Sequence, residues 1–161
     1  MSDGEQSRRL SRALLRIPVP WVFVLTYLVG AGLEVIFQLG RLMNYRILTP
    51  TGSAVFASGA VLAGWGWVMF HRAGTTRVPG ETSTALVTWG PYRFTRNPMY
   101  LGLSVAYVGE AGILHQMIPV ILLPLIIAYL NRVVIPVEEK RLQAEFGVEY
   151  EDYTKRVSRW L

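Results

Sequence analysis

Four apolar stretches, Val19 to Leu39, Ser53 to Phe70, Met99 to Leu114 and Met117 to Ile135, decide what this chain can fold into. About 20 apolar residues in a helix cross the hydrocarbon core of a bilayer. Lipid offers backbone amides no partner, so a spanning segment has to satisfy itself, as a helix does. Charged residues make up 17% of the chain and hydrophobic residues 52%, against roughly a quarter charged in a soluble domain. The expected fold is all-α and integral to the membrane: one domain over residues 1–161 with about four transmembrane helices. Residues 1–70 supply an N-terminal segment and two spans. Residues 71–161 supply a polar loop, a tight helical hairpin over 99–135 and C-terminal amphipathic helices.

The first run follows a basic lead of Arg8, Arg9, Arg12 and Arg16, the charge order of a secretory signal, but it is too long for one, contains Glu34 and is followed by no clear cleavage site. It reads as a retained helix. Residues 40–51 read as a loop closed by a Thr49-Pro50-Thr51-Gly52 turn. The second run carries small residues four apart, Ala60 with Gly64 and Gly59 with Ala63, a signal for close helix approach in lipid. Residues 71–98 form the longest connection, which favours a functional loop over a plain one. From Val137 the chain turns charged and helical. Leu142 and Phe146 share a face, and Gly147 is placed to end that helix. Tyr150, Tyr153, Val157 and Trp160 then recur at three- and four-residue spacing, an amphipathic segment suited to lie on a membrane or to close over a site.

The cations give a topology. With four spans and both termini in the cytosol, fourteen of the sixteen Lys and Arg residues fall inside, and only Arg41 and Arg46 fall outside, as the positive-inside rule expects. The 71–98 loop and the C-terminal tail then share the cytoplasmic side. This accounts for the net charge of +5 without nucleic-acid binding. With no cysteine, thiolate catalysis, disulfides and Cys-ligated metals are excluded. His71 and His115 are far apart in sequence, so no metal site is expected.

Two segments are dense in chemistry. Gly90-Pro91-Tyr92-Arg93-Phe94-Thr95-Arg96-Asn97-Pro98-Met99-Tyr100-Leu101-Gly102 sits at the mouth of a span, and Asn131-Arg132 leads through Pro136 to Glu138-Glu139 and Leu142. Interfacial anchoring by arginine and tyrosine explains either segment alone as well as a binding site does. Pro136 is expected to break the helix ahead of the glutamates. Because adjacent helical residues diverge, only one of Glu138 and Glu139 is expected to enter a shared pocket.

Together, and in this order around a hairpin, the segments resemble the isoprenylcysteine carboxyl methyltransferase and phospholipid methyltransferase superfamily. The first is similar to its Gly-x-Tyr-Arg-x-x-Arg-His-Pro-x-Tyr-x-Gly signature, and the second to its Glu-Glu-x-x-Leu element. Phe146-Gly147, the Tyr150 and Tyr153 pair and Val157-Ser158-Arg159 continue the likeness, which covers roughly residues 70–161. The resemblance implies an S-adenosylmethionine (SAM)-dependent membrane methyltransferase acting on a lipophilic acceptor, with no metal. It implies Tyr92, Arg93, Arg96, Asn97, Pro98, Tyr100 and Gly102 as cofactor residues and Arg132 with Glu138 or Glu139 as catalytic ones. Carboxylates and aromatic faces stabilise a cation, which adds Tyr150 and Tyr153 to the cofactor set.

One departure stands out: Asn97 occupies the place of the family histidine, and an amide can hydrogen-bond but cannot act as a base near pH 7. Within the spans, Glu34 and Glu110 are costly in lipid and so candidates for function, with Glu110 expected to line a substrate tunnel. Carboxyl O-methylation of an isoprenylcysteine-like acceptor is the favoured reaction. Phospholipid or amine N-methylation, a non-catalytic lipid- or nucleotide-binding protein and a nicotinamide-dependent reductase stay open on sequence.

Overall fold

A computed structural model describes residues 18–42, 44–74 and 85–161, all of them helix or connection. The basic lead at 1–17 and the loop centre at 75–84, with Arg77, lie outside the described residues. In chain order come α1 (Val19–Phe37), a 3-10 turn (Leu39–Leu42), α2 (Tyr45–Arg72), a second 3-10 turn (Gly90–Arg93), α3 (Pro98–Ile113), α4 (Ile118–Tyr129), a π-turn (Leu130–Val134) and α5 (Ile135–Arg156). Three stretches are long and apolar enough to cross a membrane: Val19–Phe37, Arg46–Arg72 and Ile118–Arg156. With the shorter α3 they make an all-α integral membrane protein.

The strongest pairing is α2 with α3, and its seam is built from missing side chains. Gly52, Gly59 and Gly66 stand seven apart on α2, as do Gly102 and Gly109 on α3, so each set keeps to one face. A Cβ on Gly102 would stand 2.5 Å from the Ala63 nitrogen, and one on Gly52 would stand 2.8 Å from the Gly109 carbonyl oxygen. Gly59 backs onto Ala106 in the same way. Backbones this close gain dispersion contacts that lipid cannot match. Of the two small-residue pairs in the sequence, Gly59 with Ala63 lies in the seam, whereas Ala60 and Gly64 face outward.

Gly52 also overturns the expected turn at 49–52. The helix already runs from Tyr45, capped by the Asn44 side chain, which accepts from the Arg46 amide at 3.1 Å. Pro50 sits inside it and removes one ladder bond, a loss that close packing at Gly52 outweighs.

The second pairing is α1 with α4. Phe23 and Tyr27 of α1 join Tyr100, Tyr107 and Ala111 of α3 and Ile126 of α4 in the main core. Pro136 does not break the chain. It occupies the first turn of α5, and the turn before it widens into a π-turn that joins α4 to α5. Such a turn shifts the bonding by one residue and absorbs the missing proline donor. Gly147 does interrupt the last helix, with φ 52° and ψ −120°. That is a left-handed value glycine adopts at no cost.

Candidate active site

The two chemical segments meet at one end of the bundle. Around them lies a narrow cavity of about 30 Å³ that opens to solvent, lined by Phe70, Ala85, Leu86, Val87, Tyr92, Arg96, Asn97, Glu138, Glu139, Leu142, Tyr150 and Tyr153. Each wall follows from local structure. Pro91 and Pro98, each in the first turn of a helix, fix the entry and exit of the 90–98 segment and are themselves buried. The break at Gly147 turns the end of α5 so that Tyr150 and Tyr153 pack on Leu86 of the loop.

The paired glutamates both line the cavity, against the expectation for adjacent helical residues. Their backbones do diverge, but long side chains reach opposite walls. Glu138 accepts from the Tyr100 hydroxyl at 2.6 Å. Glu139 lies between two guanidinium groups: Arg96 at 3.1 Å, and Arg159 through a two-pronged contact at 2.6 and 3.1 Å. Charge-assisted forks of this kind are the strongest hydrogen bonds in proteins. Arg96 also donates to the Tyr150 hydroxyl at 3.4 Å. Burial, with Glu139 beside it, raises the Tyr150 phenol above its ordinary range, so it stays neutral near pH 7. The Glu139 contact raises Arg159 in the same sense and keeps it charged.

Other sequence candidates take different places. Tyr153 donates to the Tyr92 carbonyl oxygen at 2.8 Å, and Tyr92 packs edge-on against Phe70. Asn97 is buried; its side-chain amide donates to the Arg159 carbonyl at 3.0 Å. Gly102 belongs to the helix seam rather than the cavity. Arg93 is exposed outside the lining, and so is Arg132 on the π-turn. Glu110 lies about 15 Å along α3 from Tyr100, half-buried and near Tyr27 and Tyr107. His71 stacks on Trp67 at one end of α2, while His115 bonds Thr49 at 2.8 Å near the other.

Sequence reasoning left out Leu86, Val87, Thr95 and Arg159 as site residues. Only Arg159 carried a signal, as the cation ending the Tyr-rich segment; a buried Leu-Val pair in a polar loop has none.

A helical membrane bundle with an acidic and aromatic cavity where its loop and tail converge defines the class: an all-α integral membrane protein with a polar cavity at one end. The family model for phospholipid methyltransferases matches residues 48–149, and the chain belongs to that family, within the superfamily that also holds the isoprenylcysteine enzymes. A "Probable protein-S-isoprenylcysteine O-methyltransferase" from Oryza sativa subsp. indica is 26% identical over 152 residues, covering 93% of this chain and 80% of the relative. The protein of that name from subsp. japonica matches equally. The "Nickel-cobalt-cadmium resistance protein NccN" of Alcaligenes xylosoxydans xylosoxydans is 34% identical over 79 residues, covering 49% of this chain and 37% of that protein. These findings make the chain a membrane methyltransferase.

Proposed function

We propose that the cavity binds SAM and that the protein transfers its methyl group to a lipophilic acceptor, with the carboxylate of an isoprenylcysteine-like molecule favoured. The observation that carries this reading is the pairing of Tyr100 with Glu138 and of Arg96 with Glu139, which joins both family segments around one cavity. The residues fit the group. Two carboxylates, one guanidinium group and three tyrosines on the lining match an adenosine derivative bearing a sulfonium, an ammonium and a carboxylate.

When bound, the nucleotide supplies a methyl group activated by positive sulfur. The chain's own work is then alignment and electrostatics. Tyr92, Tyr150 and Tyr153 give aromatic surface, and Leu86 and Val87 exclude water from one wall. Glu138 has one side-chain partner among the described residues, a neutral phenol, so its charge is the more available to a cation. Glu139 is committed to Arg96 and Arg159 and shapes the cavity. Arg132, exposed on the turn that leads into Glu138, is suited to hold an acceptor carboxylate outside the nucleotide pocket. Holding the reactants in line is worth about 7–11 kcal/mol in favourable cases. Glu110 and its tyrosine neighbours border the path by which a lipid tail reaches the site from the bilayer.

The family model favours a second reading, a phospholipid amine acceptor. Deprotonation would then fall to Glu138, since Asn97 cannot serve. The distribution of cations supports a cytoplasmic site with both termini on that side.

Radiolabelled methyl transfer from SAM with two acceptors, an N-acetyl S-isoprenylcysteine and phosphatidylethanolamine, tests the function on detergent-solubilised protein. Base-labile label on the first supports carboxyl methylation, and base-stable label on the second supports the amine reading. Failure to bind SAM or S-adenosylhomocysteine would overturn both.

A further inference from the structure

The last five residues do more than end the chain. Val157 ends the helix in an extended conformation, and the irregular segment that follows crosses the 94–97 segment as a strap. Its carbonyl groups take three bonds from that segment. The Arg96 amide donates to Ser158 at 3.0 Å; the Thr95 hydroxyl and the Asn97 side-chain amide donate to Arg159 at 3.1 and 3.0 Å. On the other side, the Trp160 indole donates to Asn131 at 2.9 Å, beside the π-turn. The strap thus ties the loop to the α4–α5 junction. Between these ties, Arg159 reaches back to hold both oxygens of Glu139.

We propose that Arg159 is a positioning residue for the methyl-transfer site, acting through Glu139, and that Asn97 serves as the strap's anchor. This inference rests on the nucleotide reading above. Arg159 does not line the cavity, whereas Glu139 does. One oxygen of Glu139 meets both Arg96 and Arg159 and the other meets Arg159 alone. With two cations gripping it, the carboxylate has one orientation at the cavity wall. With Arg96 alone it can rotate, and Arg96 is freed to reorient with it. Asn97 is suited to the anchoring work. It is 4% exposed, its amide nitrogen meets a carbonyl oxygen, and its backbone amide bonds the Thr95 hydroxyl. The residue that departs from the family signature therefore joins a bond network reaching the paired glutamates.

The test is a double-mutant cycle on the full chain in detergent, with Arg159→Met, Glu139→Gln and both together. Two readouts are taken: S-adenosylhomocysteine affinity, and hydrogen exchange of the Arg96 amide in the ligand-free protein. Arg159→Met is expected to weaken affinity roughly 10–100-fold, the worth of hydrogen bonds to a charged group. The Arg96 amide is expected to stay protected, because the strap keeps its carbonyl and indole bonds. The double variant is expected to bind no worse than Glu139→Gln alone, and Arg159→Lys to recover part of the loss. Additive losses in the double variant would overturn the positioning role. So would an Arg96 amide that exchanges freely in Arg159→Met, since the strap would then be a plain structural tie. If the unmodified protein binds no S-adenosylhomocysteine, the nucleotide reading fails instead, and the exchange data still report on the strap.

Discussion

Two carboxylates, Glu34 buried and Glu139 partly buried, mark opposite ends of the bundle, and they are held in different ways. At one end Glu34 of α1 accepts from backbone amides: Gly40 at 2.5 Å, and Met117 and Ile118 at 2.9 Å each. Those last two lie at the start of α4, where the first amides of a helix have no partner of their own. Glu34 is thus a cap supplied from a neighbouring helix, and it locks α1 to α4. At the other end Glu139 is held by side chains, Arg96 and Arg159, beside a cavity. Backbone donors cannot move without unfolding the turn that carries them. Guanidinium groups on flexible stems can exchange partners when a charged ligand arrives. A carboxylate in lipid is functional by default, yet Glu34 has an architectural task, and the role proposed for Glu139 rests on donors that can move.

The comparison breaks first, if it is wrong, at Glu34. Glu34→Ala leaves three backbone amides unpaired, two of them buried, and is expected to cost about 3 kcal/mol or more in stability. Thermal unfolding in detergent would show it as a large drop in Tm. The folded fraction should still bind S-adenosylhomocysteine normally. Normal stability with lost binding would make Glu34 a site residue after all.

Glu139→Gln should show the reverse. Affinity for the nucleotide is expected to fall roughly 30–100-fold, as a charge-assisted contact is lost. The change in Tm should be much smaller than for Glu34→Ala, because this end is partly exposed and its charges are screened. Binding calorimetry and melting on the same preparation separate the two effects. Tyr100→Phe comes next. It removes the hydroxyl that Glu138 accepts from, while the ring still fills the main core. Methyl transfer is expected to fall roughly threefold to tenfold with stability nearly unchanged. A loss as large as that of Glu139→Gln would mean that the phenol itself touches the reacting groups.

Much of this arrangement was legible in the chain itself. Hydrophobic runs gave the helices, because lipid allows little else to span it. Two segments far apart in sequence stood out by their residue types, and they do meet through Tyr100 with Glu138 and Arg96 with Glu139. What stayed hidden depends on distances that sequence does not encode. The glycine seam has a seven-residue period split over two helices, which is a weaker sequence signal than the four-residue pairs within α2, and one of those two pairs points outward. Gly52 looked like a turn residue because Pro50 stands beside it, yet tertiary packing overrode that local signal. Pro136 looked like a break because a π-turn cannot be read from composition. Asn97 stands out in the sequence as a departure from the family signature and Arg159 as the cation ending the Tyr-rich segment, but only the fold places one on the other's carbonyl.

Arg132 and Arg93 supply the smallest and sharpest test. Both are exposed guanidinium groups outside the cavity, so by burial alone they are equivalent interfacial anchors. They differ in connection: Arg132 lies on the π-turn six residues before Glu138, whereas Arg93 ends the 3-10 turn that carries Tyr92. If Arg132 holds the acceptor, Arg132→Ala should raise KM for an isoprenylcysteine acceptor roughly tenfold, as expected for losing one hydrogen bond to a charged group. S-adenosylhomocysteine affinity should not change, because the side chain stands clear of the nucleotide pocket. Arg93→Ala should alter neither. Equal and small effects from the two variants would reduce Arg132 to an anchor, and the acceptor's polar group would then have to be met within the cavity, where Arg96 is the lining guanidinium.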